Sequence, residues 1–87
     1  MMTTVERKLM DKLHGMFPGA GVMHKSISMD LGKRRWYTPN FVVYREGCRP
    51  LVVSLPYAAS GLQGKLYEDA SSSAVFRFFD FKVVSAK

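Results

Sequence analysis

The spacing of apolar residues changes at Pro18-Gly19, from three or four residues before this point to two residues after it. The apolar positions with helical spacing are Val5, Leu9, Leu13 and Met16. Thr3 and Glu6 have the spacing of a capping box, so we expect an amphipathic helix over residues 3–17. A helix that is followed by strands restricts the chain to a mixed architecture.

Three segments after this helix have the pattern of β-strands. Apolar and polar residues alternate within 22–31, and a second segment, 36–44, is interrupted by Pro39 near its start. The third segment, 50–55, contains the continuous apolar run Leu51-Val52-Val53, which is typical of a central strand that is buried on both faces.

The remainder of the chain has weaker patterns. Leu62 and Leu66 have helical spacing, although glycines interrupt this segment, and the serines at 71–73 indicate a loop before a last strand over 75–84. The order of elements predicts a single domain over residues 1–87 with an α+β fold. We expect a small mixed sheet of about four strands, with the N-terminal amphipathic helix covering one face.

The charge and the cysteine content bear on partners and location. Thirteen Lys and Arg against seven Asp and Glu give a net charge of +6, which favours a polyanionic partner such as nucleic acid. The charged N-terminus does not have the pattern of a signal peptide, and no apolar run is long enough for a membrane helix. With Cys48 as the only cysteine and two histidines, we expect a cytoplasmic protein without disulfides, structural zinc or a cofactor.

The segment Tyr37-Thr38-Pro39-Asn40-Phe41, followed by a short turn and the strand at 50–55, resembles the core hairpin of the PD-(D/E)xK nucleases. It looks most like the nuclease subunit of heteromeric transposases and the phage junction-resolving endonucleases. In that family the first strand typically reads Tyr-Thr-Pro-Asp-Phe, the second contains Glu-Val-Lys, and an upstream helix supplies another glutamate. The resemblance implies a restriction-endonuclease-like core.

The positions that carry catalysis in that family differ in this chain. Asn40 stands at the aspartate position, Ser54 at the glutamate position and Pro56 at the lysine position, while Glu6 matches the glutamate of the helix. If the second strand is aligned one residue earlier, Val53 and Leu55 take the glutamate and lysine positions instead. Because Mg²⁺ requires anionic oxygen ligands, the resemblance implies a nuclease fold whose site at Glu6, Asn40, Ser54 and Pro56 is vestigial and inactive.

Cations and aromatic residues are interleaved in the turn before this motif, a pattern that suits phosphate contact and base stacking. The candidate nucleic-acid-binding residues are Lys33, Arg34, Arg35 and Trp36, with Lys25, Arg45 and Arg49 on neighbouring segments. The alternative interpretation is a solvated turn beside a tryptophan of the core.

The aromatic residues of the last predicted strand indicate a second kind of partner. Phe79 and Phe81 share one face, and at a sheet edge they would bind another protein or a second copy of this chain. A small protein-interaction module, such as a phage- or mobile-element-encoded inhibitor of a host enzyme or defence complex, is therefore the alternative function. An active metal-dependent nuclease would need Glu6, Asn40 and a further carboxylate that neither alignment supplies.

Overall fold

The computed structural model describes residues 2–56 and 61–87, which form two helices, six strands and one 3₁₀ turn. The elements in chain order are α1 (Thr4–Met16), β1 (Gly21–His24), β2 (Met29–Asp30), β3 (Trp36–Tyr37), β4 (Phe41–Tyr44), β5 (Leu51–Ser54), α2 (Leu62–Ser72), the 3₁₀ turn (Ala74–Phe76) and β6 (Asp80–Val83). Neither α-helix among these residues has the length and apolar character needed to cross a membrane.

Helix α1 begins with the predicted capping box. The Thr3 hydroxyl accepts a hydrogen bond from the Glu6 backbone N–H at 3.1 Å, and the Glu6 carboxylate accepts one from the Thr3 N–H at 3.0 Å. Leu9 and Leu13 are fully buried, whereas Val5 is half-exposed. The apolar stripe that contacts the sheet is therefore narrower than the sequence pattern indicates.

The larger sheet has the strand order β1-β4-β5-β6. Strands β1, β4 and β5 pair antiparallel, and β6 pairs parallel to β5 after the α2 crossover, so the sheet is mixed, as predicted. All four residues of β5 are buried, which confirms the prediction of a central strand at Leu51-Val52-Val53.

Each face of this sheet carries its own apolar cluster, because neighbouring side chains of a strand point to opposite faces. The cluster under α1 consists of Leu9, Leu13, Val22, Phe41, Val43, Leu51, Val53 and Val84. The cluster under α2 consists of Met29, Tyr37, Val52, Leu66 and Ala70. Strand β5 contributes to both clusters and joins them.

The first two predicted strands are each broken into two. Lys25 has a φ of 46°, which ends β1, and the chain re-enters strand geometry at β2. Pro39, which has no N–H to donate, separates β3 from β4. The segments displaced in this way, β2 and β3, form a separate two-stranded sheet.

The predicted strand over 75–84 is wrong in its first half. The Ser73 hydroxyl accepts a hydrogen bond from the Val75 N–H at 3.2 Å, and this local cap starts the 3₁₀ turn instead. Only Asp80–Val83 is a strand. The predicted loop at 71–73 is also shorter, because Ser71 and Ser72 belong to α2.

Candidate functional site

A buried carboxylate lies where α1 meets the end of β1. Glu6 is only 4% exposed, and its Oε2 atom accepts hydrogen bonds from His24 Nε2 at 2.8 Å and from Asn40 Nδ2 at 3.3 Å. The Lys25 ammonium lies 3.9 Å from the same oxygen. These four residues, Glu6, His24, Lys25 and Asn40, are termed the carboxylate cluster.

The environment of Glu6 keeps its side chain ionised. Burial by itself raises the pKa of the carboxyl, but the hydrogen bonds from the Thr3 backbone, His24 and Asn40, together with the charge of Lys25, outweigh burial and lower the pKa to about 2. Glu6 is therefore ionised at neutral pH, and both of its oxygens are already engaged by donors of the chain itself.

The amide of Asn40 connects three parts of the fold. Its Nδ2 atom donates to Glu6, and its Oδ1 atom accepts a hydrogen bond from the Leu55 N–H at 3.0 Å, just after β5. An amide can serve both partners because it carries a donor and an acceptor, whereas an ionised aspartate has only acceptors. In this position an aspartate would place a second negative charge beside Glu6.

The two other positions singled out by the resemblance carry no ionisable group. Ser54 is fully buried at the end of β5, and its hydroxyl donates to the Leu55 carbonyl oxygen at 3.1 Å. Pro56 is exposed. Over residues 2–56 and 61–87 there is no group of three or more His, Cys, Asp or Glu side chains that could hold a metal ion.

An open polar cleft borders the carboxylate cluster. Its lining residues are Lys25, Trp36, Thr38, Asn40 and Gln63, and its volume is about 480 Å³. The indole of Trp36 is 56% exposed, because Tyr37, its neighbour on β3, takes the buried face of the strand. Trp36 is therefore a surface residue and not the core tryptophan of the alternative interpretation.

The loop between β2 and β3 ends in two exposed cations, Lys33 and Arg34, termed the basic tip. Their φ angles are 54° and 61°, as a type I′ turn requires at both of its central positions. The turn is closed by a hydrogen bond from the Arg35 N–H to the Gly32 carbonyl oxygen at 3.0 Å. The sequence predicted a basic turn here but not this left-handed backbone.

The other candidate cations do not join the basic tip. Arg35 forms an ion pair of 2.6 Å with Asp69 of α2, which ties the two-stranded sheet to that helix. Arg45 and Arg49 follow the opposite end of β4 from Lys25, where Arg45 lies over the Phe17 ring and Arg49 donates to the Arg77 carbonyl oxygen. The structure therefore separates Arg45 and Arg49 from Lys25 and Trp36, which line one cleft.

Phe79 and Phe81 both pack, half-buried, against the cluster under α2. The large apolar side chains exposed in this region are Val75 at 76%, Phe78 at 64% and Val83 at 45%. The prediction assumed that side chains alternate between two faces along a strand, but Phe79 precedes β6, so this alternation does not apply to it.

Three contributors to the site were not singled out by the sequence. His24 reaches Glu6 because β1 pairs with β4 in a register that places His24 opposite Phe41. Thr38, which follows β3, and Gln63, on α2, also line the cleft. None of these residues has a local signal, since their positions depend on strand register and on the docking of α2.

Comparison with protein-family models, with curated protein sequences and with solved structures finds no match to this chain.

Proposed function

We propose that this chain binds nucleic acid without cutting it, as a cytoplasmic protein with a nuclease-like core whose active site is inactive. The observation that carries the proposal is the basic tip. Lys33 and Arg34 occupy a turn conformation that Asn and Gly adopt at lower cost, and both side chains face solvent. Cations held in this way favour contact with an anionic backbone.

The charge distribution around the tip supports the same function. Among the described residues, no carboxylate lies within ion-pair distance of Lys33 or Arg34, whereas the next residue, Arg35, is paired with Asp69. Trp36, two residues after Arg34 in the chain, lines the cleft together with Lys25. Phosphates would therefore meet two cations, Lys33 and Arg34, that no carboxylate of the described residues neutralises, on a chain whose net charge is +6.

The hydrogen bonds of the carboxylate cluster support binding without cleavage. Both Glu6 oxygens accept hydrogen bonds from within the chain, and Asn40 brings no charge. Hydrolysis of a phosphodiester by hard metal ions relies on anionic oxygen ligands, and this position offers one engaged carboxylate. Because groups of one catalytic centre act together, the loss of several of them should abolish cleavage.

The order of elements agrees with the resemblance. Apart from the β2–β3 hairpin, which is inserted between β1 and β4, the order along the chain is a helix that carries Glu6, three antiparallel strands, a crossover helix and a parallel strand. Asn40 contacts Glu6 through one end of its amide and the Leu55 backbone, just after β5, through the other. In that family, the positions that correspond to Glu6, Asn40 and the end of β5 carry carboxylates. This agreement is the support for a nuclease-like core.

The first prediction compares two double variants that remove the same charges. Lys33→Gln/Arg34→Gln should weaken binding to a fluorescently labelled oligonucleotide at least tenfold at low salt and reduce the slope of log affinity against log salt by about 2. Arg7→Gln/Lys8→Gln removes one Arg and one Lys from the exposed face of α1, and it should change the affinity and the salt slope much less. Fluorescence anisotropy over a salt series measures both quantities.

Equal losses in the two double variants would contradict a role for the basic tip. Failure of the unmodified chain to bind any oligonucleotide would contradict nucleic-acid binding itself. The oligonucleotide should remain intact on a denaturing gel after incubation with Mg²⁺ or Mn²⁺, and cutting that depends on the metal would contradict the inactive site.

A protein-interaction module is the second candidate, and the exposure of Val75 and Phe78 favours it. The Arg77 guanidinium lies 4.9 Å from the centre of the Phe78 ring, so this patch combines apolar and cationic character. Binding to a protein through this patch would depend less on salt than phosphate contact and would be lost in Phe78→Ser.

A further inference from the structure

We infer that the cleft accepts an unpaired nucleotide whose base stacks on Trp36, so that single-stranded nucleic acid is bound in preference to duplex. This inference rests on the proposed function and adds the class of nucleic acid. Its basis is the juxtaposition of the exposed Trp36 indole, the exposed Gln63 amide and the Lys25 ammonium in one open space, and Trp36 lies two residues after the basic tip in the chain.

The indole of Trp36 is positioned as a stacking platform. It lies on the outward face of a strand whose other residue, Tyr37, is fully buried beneath α2, so the strand holds the ring at the surface. An exposed tryptophan leaves a large apolar face in contact with water, and a base that stacks on this face covers it.

The other lining groups suit the remaining parts of a nucleotide. Gln63 is exposed and offers both a donor and an acceptor to a base edge. The Lys25 ammonium lies 3.9 Å from Glu6 Oε2 but is half-exposed, so its solvent-facing side can contact a phosphate. The cleft volume of about 480 Å³ lies within the range of roughly 300–1,000 Å³ that small-molecule pockets have in proteins.

The geometry distinguishes unpaired from paired nucleotides. In a duplex both faces of an internal base are covered by its neighbours and its edge is paired, so neither Trp36 nor Gln63 has access to it. The basic tip alone makes contacts of the phosphate type, which duplex and single strand both offer. A preference for single strands must therefore come from the cleft and not from the tip.

The test uses the fact that Trp36 is the only tryptophan of the chain. Oligo-dT and oligo-rU of about 12 nucleotides, and a blunt DNA duplex of the same length, are titrated while tryptophan emission and anisotropy are recorded. We expect both single strands to quench the emission and to bind at least tenfold more tightly than the duplex. The two single-stranded arms show whether DNA or RNA is favoured.

Two variants separate stacking from folding. Trp36→Ala should lose about tenfold or more in affinity for the single strands with little change for the duplex, while Trp36→Phe should keep most of the preference. Gln63→Ala is expected to weaken single-strand binding by a smaller factor. Circular dichroism melts establish that each variant is folded. We expect the Trp36 variants to fold, because the side chain that they change is exposed.

The outcomes distinguish the two proposals. Salt-dependent binding without quenching, or with equal affinity for duplex and single strand, would overturn the stacking inference and leave the proposed function in place. Equal losses for Trp36→Ala on both kinds of oligonucleotide would also overturn it. Absence of binding to all three oligonucleotides would overturn both proposals.

Discussion

At the residue scale, Glu6 performs two structural tasks with its two oxygens. Oε1 completes the N-terminal cap of α1, and Oε2 holds His24 and Asn40. The capping task could be predicted, because Thr3 and Glu6 are close in sequence. The second task could not, because His24 and Asn40 come from strands whose register the local sequence does not define.

The pKa of Glu6 gives a prediction about acid stability. A carboxyl whose pKa falls from its ordinary value of 4.5 to about 2 on folding stabilises the folded chain by about 3 kcal/mol above pH 4.5. The unfolded chain binds the proton first as the pH falls, so this contribution is lost between pH 4.5 and 2. Glu6→Gln should therefore be less stable than the unmodified chain at pH 7 by about this amount.

Urea denaturation from pH 7 to pH 2 measures the effect. The difference between the unmodified chain and Glu6→Gln should narrow steadily below pH 4.5, whereas Asp11→Asn, on the exposed face of α1, should show no comparable narrowing. A constant difference at all pH values would mean that the Glu6 charge does not contribute to stability.

At the scale of elements, the β2–β3 hairpin is the part of the fold that the sequence describes least well. Residues 22–31 and 36–44 have the composition of long strands, yet the left-handed backbone at Lys25 and the missing N–H of Pro39 end each of them early. The strand over 75–84 fails for a similar reason, because Ser73 caps a 3₁₀ turn. Such local backbone conformations end a strand even where the alternation of apolar and polar residues in the sequence continues.

At the basic tip, we expect one double substitution to raise stability and to weaken binding. Lys33→Asn/Arg34→Gly supplies the residues that a type I′ turn favours. We therefore expect the free energy of unfolding to increase by about 1 kcal/mol and the melting temperature to rise by roughly 4–8 °C. The same variant removes both cations of the tip and should bind oligonucleotides at least tenfold more weakly.

Thermal melts and anisotropy titrations on one preparation measure both effects. A variant that is more stable and binds as well as the unmodified chain would show that the cations are incidental to binding. A variant that is less stable would show that Lys33 and Arg34 make stabilising contacts within the fold.

At the scale of the whole molecule, the α+β architecture and the central position of β5 could be predicted, because a continuous apolar run and an amphipathic helix are strong signals. The distribution of charge could not. Net charge is a property of the sequence, but its division between the basic tip and the far end of β4 depends on the path of the hairpins.

Because β5 belongs to both apolar clusters, we expect the chain to unfold in one step. Val53→Ala removes volume from the cluster under α1 and should cost about 2 kcal/mol, which lowers the melting temperature by roughly 10 °C. Trp36 lies outside this cluster. The melting temperatures measured by far-UV circular dichroism and by Trp36 fluorescence should therefore fall by the same amount. Two separate transitions would contradict a single domain over residues 1–87.

The presence of Val84 in the same cluster as Leu9 and Leu13 has a consequence for folding during synthesis. Helix α1 leaves the ribosome before the strands that it packs against, and the apolar cluster beneath it stays incomplete until residue 84 has been added. The neighbouring strand β6 also supplies the parallel partner of β5, so the unpaired edge of β5 stays accessible over the same interval. A nascent chain that stalls before residue 80 would therefore expose both an apolar surface and a free strand edge, and we expect chaperones to bind it.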